Sequence, residues 1–201
     1  QNLLKKQNLN MLINIIMKLN IIYWDITYQN SDVVVNSANP SLLWWWWIDW
    51  LIHLRAWEEL YQECLKLRVT KELKQWLEPW NAVITWWYKL KAKHIIHTHW
   101  PVCREYTDDS WKLVLENCYI NCLEITDEEN LKSISFPLIW NGIFCCKVEE
   151  TSIVALKTIK EYFENNKSWI EEVRIVVYSD EEFRKKDEKS YEIYMKAYNE
   201  I

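Results

Sequence analysis

Gly142 is the only glycine among 201 residues, and that scarcity constrains folding more than any other feature of the chain. Glycine supplies the positive φ of tight turns and helix C-caps, and it lets a backbone approach a ligand closely. Average usage of about 7% would place roughly 14 glycines in a chain this long. The chain instead carries 15 tryptophans, so the deficit of one residue type nearly matches the surplus of the other. Four of them stand in a row, Trp44 to Trp47, inside "NPSLLWWWWIDWLIH". No regular element packs such a run. Alternate indoles leave opposite faces of a strand, and on a helix four in a row spread around the circumference.

Other tryptophans stand where glycine is expected. Trp80 lies in the turn sequence "EPWNAV", Trp100 precedes a proline in "HTHWPV", and Trp57 follows "LIHLRA", where a helix is expected to stop. These read as sites built for glycine. Some bacteria decode the UGA codon as glycine and others as tryptophan, so a gene read with the other meaning produces this swap. The abundance of Lys, Asn and Ile fits an AT-rich gene. The alternative is a protein genuinely rich in tryptophan.

The length suits one domain with a sizeable core, expected over residues 13–201, after a poorly ordered tail at 1–12. A net charge of −5 and a pI near 5.5 argue against a general nucleic-acid or anionic-membrane binder. Six cysteines include no CxxC pair. Cys118 and Cys122, four apart, share a helix face and read as packing. No disulfide-like framework or signal peptide is evident, so a reducing cytoplasm is expected. The longest apolar runs are short or broken by Asp49, which leaves no membrane span. A monomer is expected.

Along the chain, β and α patterns alternate. Residues 13–23, 32–38, 81–86, 94–100, 131–139 and 171–179 read as strands; 48–67, 110–130, 147–166 and 189–201 read as helices. Strands rich in Val and Ile on both faces, alternating with helices, indicate an α/β fold with a largely parallel sheet covered on both sides. Ligands in such folds bind beyond the carboxyl ends of the strands.

With glycine read for tryptophan, the opening stretch becomes N-P-S-L-L-G-G-G-G-I-D-G-L-I-H, preceded by "WDITYQNSDVVVNSAN". It then resembles the macrodomain family, specifically its ADP-ribosyl-hydrolase branch of the MacroD type. Two further blocks follow in the family's order: "NAVITWWYKLKAKHIIHTHWP", similar to its central strand pair, and "SISFPLIWNGIF", similar to its second phosphate loop. The resemblance covers roughly residues 20 to 180. It implies a three-layer α/β/α fold around a mixed, mostly parallel sheet. The motif also makes physical sense by itself. A glycine-rich loop entering a helix presents consecutive backbone N–H groups that cradle a diphosphate.

The resemblance implies a role for each residue. Asp25 accepts from the adenine amino group, with an adjacent backbone contact from Ile26. The run Trp44, Trp45, Trp46, Trp47 and Ile48 forms the first diphosphate loop; Trp140, Asn141, Gly142, Ile143 and Phe144 form the second, with Phe144 on the distal ribose. Tyr178 stacks on adenine. Asn39 holds the distal ribose, Asp49 orients or activates the attacking water, and His53, one helical turn on, supports that geometry. On local pattern alone Asp49 reads equally well as an acid favoured at a helix start, His53 and Phe144 as core, and Tyr178 as a half-buried strand end. The chain departs from the family pattern at Asn141, at Cys145 and at Arg55, where the family has Ser or Thr, Gly and Ala. The histidines His94, His97 and His99 invite a zinc reading, but on a strand only His97 and His99 share a face and no fourth ligand is evident. The implied activity is metal-free hydrolysis, with no cofactor, of an ADP-ribosyl ester on a protein carboxylate or in O-acetyl-ADP-ribose. The partners are ADP-ribose or ADP-ribosylated proteins. Two rivals remain: a non-catalytic reader of ADP-ribosylated partners, and a chain inactive as written because indoles fill the diphosphate loop.

Overall fold

The computed structural model describes residues 17–43, 47–69, 77–138, 146–179 and 184–201. Six strands, β1 (Lys18–Tyr23), β2 (Val33–Ala38), β3 (Ala82–Trp86), β4 (His94–His99), β5 (Ser133–Pro137) and β6 (Glu172–Val177), form one sheet in the order β1-β6-β5-β2-β4-β3. Every pairing is parallel except β3 with β4. The antiparallel pair needs no crossover helix, which is why only a short connection separates these two strands. The helices are α1 (Trp47–Ala56), α2 (Glu58–Val69), α3 (Ser110–Glu128), α4 (Val148–Asn165) and α5 (Arg184–Glu200).

Strand alternation divides the core in two. Val33, Val35, Ile96, Ile134, Phe136, Ile175 and Val177 face α3, α4 and α5, meeting Leu115, Cys118, Cys122, Leu156, Ile159 and Tyr194. Val34, Ala38, Ile95 and Val176 face the other way, onto Ile52 and Ala56 of α1 and Leu60 and Cys64 of α2. The result is the expected three-layer α/β/α sandwich with a mixed sheet. Cys118 and Cys122 are both buried in it, as their spacing predicts.

Three sequence expectations need correction. The helix predicted over 48–67 is two helices, because Trp57 stands between α1 and α2 with φ at 78° and its N–H bonds the His53 carbonyl. That left-handed residue turns the chain and ends the first helix. The last helix begins at Arg184, five residues before the periodic segment, since its first turn is strongly charged and shows no apolar spacing. The expectation of wholly reduced cysteines also fails. Cys103, just beyond β4, is disulfide-bonded to Cys146 at the start of α4, with their Cα atoms 5.2 Å apart. The two are 43 residues apart in sequence, so no spacing rule flags them. Among the described residues, no helix is long and apolar enough to cross a membrane.

Candidate functional site

The chain leaves β2 at Ala38 and turns immediately. Asn39 Oδ1 accepts from Ser41 N at 2.7 Å, and the Leu42 N–H bonds the Asn39 carbonyl at 3.0 Å. This Asx turn fixes the Asn39 side chain at the carboxyl end of the sheet. Its amide then donates to Leu43 O and, at 3.1 Å, to Asp49 Oδ2. Asp49 lies in the first turn of α1 and is buried. Its other oxygen, Oδ1, accepts from Asn36 Nδ2 at 2.7 Å. One amide from inside β2 and one from just beyond its end therefore hold one carboxylate, a donor on each oxygen.

Asn36 is fully buried in the middle of β2 and is the site residue the sequence reading missed. The signal was available: an amide inside the apolar run "DVVVNSA" must find partners when buried. Its Nδ2 also lies 3.0 Å from His97 Nδ1, and His97 Nε2 lies 2.9 Å from Thr85 Oγ1. The Asp49 contact orients the amide with nitrogen toward the carboxylate, since a carbonyl there would face like charge. So His97 Nδ1 accepts, and the Nε2 proton donates to Thr85. Burial, reinforced by the neighbouring His53, pushes the His97 pKa down to about 3, and the ring is a neutral strut between β3 and β2.

His53 sits one turn after Asp49, with Nε2 3.5 Å from Asp49 Oδ1. That separation is too long for a strong hydrogen bond, and neither ring nitrogen has one among the described residues. Burial lowers its pKa, while the Asp49 charge raises it and loses the contest. His53, Cys64 and His97 place ligand atoms within 4.8 Å of one another, the arrangement among the described residues that comes nearest to a metal site. It differs from the sequence grouping of His94, His97 and His99. The hydrogen bonds of His97 commit both its nitrogens, and burial pushes the Cys64 thiol up, away from the thiolate a metal needs.

Just beyond the carboxyl end of β1, Asp25 caps a short 3-10 turn over Ile26–Tyr28. Its Oδ1 accepts from Thr27 N at 2.9 Å and Thr27 Oγ1 at 2.7 Å. Its Oδ2 meets Arg55 Nη1 at 2.7 Å, and the guanidinium lies 4.4 Å above the Tyr28 ring. The departure from the family pattern at Arg55 is therefore a partner of the Asp25 carboxylate. Ile26 is buried beside it, and Tyr178, immediately beyond β6, is buried as well. Ile48 is half-buried at the start of α1. The carboxyl ends of β1, β2 and β6 thus carry Asp25, Ile26, Asn39 and Tyr178, with Asp49 and His53 on the adjoining helix. Trp44, Trp45, Trp46, the side chain of Trp47, and Trp140, Asn141, Gly142, Ile143, Phe144 and Cys145 lie outside the described residues, as does the tail at 1–12.

The comparisons with known proteins identify the family. The model of the Macro domain family matches residues 35–155. An uncharacterised protein of Thermoplasma volcanium is 39% identical over 160 residues, spanning 80% of this chain and 83% of its own length. The ADP-ribose glycohydrolase MACROD2 of Mus musculus is 35% identical over 184 residues; the match takes in 92% of this chain but 36% of that longer protein. A solved Oceanobacillus iheyensis macrodomain with ADP superposes with a TM-score of 0.81 at 33% identity, covering 92% of this chain and 93% of its own. With the family model and the fold in accord, the chain belongs to the macrodomain family.

Proposed function

We propose that the protein binds ADP-ribose and hydrolyses an ADP-ribosyl ester, carried either on an acidic protein side chain or in O-acetyl-ADP-ribose. The observation that carries this reading is the Asp49 carboxylate held between the Asn36 and Asn39 amides, in the first turn of α1 at the carboxyl end of β2. A reader needs backbone and shape to hold its ligand; a carboxylate fixed on both oxygens is what general-base work needs. The names of the relatives point the same way: MACROD2 is an ADP-ribose glycohydrolase, and the Oceanobacillus protein was solved with ADP.

In this reading Asp25 accepts from the adenine amino group, Ile26 adds a backbone contact and Tyr178 stacks on the ring. The loops at 44–48 and 140–144 take the diphosphate, with Phe144 against the distal ribose. Asn39 holds that ribose, and Asp49 orients a water that attacks the ester with help from the substrate's own phosphate. The water's proton passes to the carboxylate and the acyl–oxygen bond breaks. Asp49 returns that proton to the departing ribose oxygen, so the ribose hydroxyl and the free acid leave and the carboxylate is restored. His53, buried one helical turn after Asp49, supports that geometry.

The test is Asp49→Ala in a chain carrying glycine at 44–47 and 50. Release of ADP-ribose from an ester-linked substrate should vanish, while binding by calorimetry stays within about tenfold because backbone supplies the diphosphate contacts. Full turnover by the variant would refute the role of Asp49. Binding without turnover in the parent would leave a reader.

A further inference from the structure

We infer that the working polypeptide carries glycine at Trp57 and Trp80 and, by the same decoding of UGA, at the other tryptophan positions that codon encodes, the run Trp44 to Trp47 included. The backbone carries this inference independently of what the protein binds. Trp57 has φ at 78° and Trp80 has φ at 66°. In that region a Cβ crowds the following carbonyl, and only glycine escapes the penalty.

Each position has a defined geometric reason for its φ. Trp57 is the residue just past α1, and its N–H closes on the His53 carbonyl four residues back at 3.0 Å. That is the left-handed helix stop at which glycine is most enriched. Trp80 occupies the third place of the turn Glu78-Pro79-Trp80-Asn81, closed by the Asn81 N–H on the Glu78 carbonyl at 3.2 Å. Proline second and a positive φ third define a type II turn, whose third residue is glycine or asparagine.

Leu42, Tyr88 and Asn130 also have positive φ, at 56°, 52° and 54°, and they show what justifies such a residue. Leu42 is wholly buried, and Tyr88 donates its hydroxyl to Glu63 at 2.8 Å. Asparagine tolerates the region through its own side chain. Strained backbone persists where surrounding contacts over-determine it. The indoles of Trp57 and Trp80 are 56% and 44% exposed. The Lys89 ammonium lies 3.8 Å from the Trp57 ring, a weak interaction at an exposed site.

Several other indoles fit the same account. Trp24, Trp50, Trp86 and Trp169 stand in solvent, although tryptophan is highly buried on average. Trp50 and Trp57 together wall an open groove of about 450 Å³ with His53, Leu54, Glu58 and Tyr61, which glycine at both positions would dissolve. Trp100 is fully buried, yet its indole N–H has no hydrogen-bond partner among the described residues, contrary to the usual rule for buried tryptophan.

Mass spectrometry of the protein purified from the cells that encode it reads residues 57 and 80 directly. Glycine is expected at both, and tryptophan at either overturns the inference. Recombinant chains give a second reading. The double change Trp57→Gly with Trp80→Gly should raise Tm by roughly 5–15 °C over the chain as written. Trp57→Ala with Trp80→Ala should not, because alanine keeps the Cβ that strains the backbone. An equal rise with alanine would mean that exposure of the indoles, and not backbone geometry, is the defect; that result, or a fall with glycine, overturns the inference.

Discussion

Replacing Asn36 with leucine removes two hydrogen bonds while keeping the side-chain volume close to that of the amide. Asp49 Oδ1 loses a donor at 2.7 Å and His97 Nδ1 loses one at 3.0 Å, in a place closed to water. A bond to a charged group contributes about 1.5–3 kcal/mol, and an orphaned buried acceptor costs about 1–3 kcal/mol. The apolar leucine recovers about 1 kcal/mol of this by burial. The net expectation is a loss of about 3 kcal/mol, which lowers Tm by roughly 6–12 °C in a domain of this size. A double-mutant cycle isolates the cause. In an Asp49→Ala background the carboxylate is gone, and Asn36→Leu should then cost about 1.5 kcal/mol less. Urea unfolding followed by circular dichroism measures all four corners. Additivity within about 0.5 kcal/mol would show that the two residues do not support one another, and the positioning argument for Asp49 would fall with it.

Two further outcomes follow from the geometry. The folded pKa of His97 lies near 3, below its unfolded value of about 6.5, so the unfolded chain binds the extra proton across that window. The stability from this residue is fully present above about pH 6.5 and is lost as pH falls, by about 2 kcal/mol at pH 5; His53, also lowered by burial, adds to the loss. Denaturation midpoints for the parent and for His97→Gln should show a shallower slope in the variant, and parallel slopes would contradict the neutral strut. The Cys103–Cys146 bond closes a separation of 43 residues, a constraint on the unfolded chain of about 4 kcal/mol. A phosphine reductant should lower Tm by roughly 10 °C, and identical melting with and without it would deny the bond.

The sequence by itself determined the strands, their alternation with helices and the strand-end position of the site. Those features are local: Val and Ile runs make strands, 3.6-residue spacing makes helices, and a turn follows each strand end. The family resemblance also assigned Asn39 and Asp49 to one site, and the structure brings them into contact through one Asx turn and one helix start. Asn36 was legible only as an anomaly, an amide in an apolar strand, because its partners lie elsewhere in the chain. Tertiary structure alone decided those partners. His97 reaches Asn36 because β4 pairs parallel with β2 in the register that sets Asn36 beside His97, and Thr85 reaches His97 because β3 pairs antiparallel with β4. Arg55 meets Asp25 across 30 residues of sequence, and Cys103 meets Cys146, for the same kind of reason. Register is fixed by the sum of packing over a whole sheet face, where a slip of one residue would exchange the side chains presented to the two helical layers. No single position announces that sum, so a contact between distant side chains becomes readable only once the layers have closed on one another.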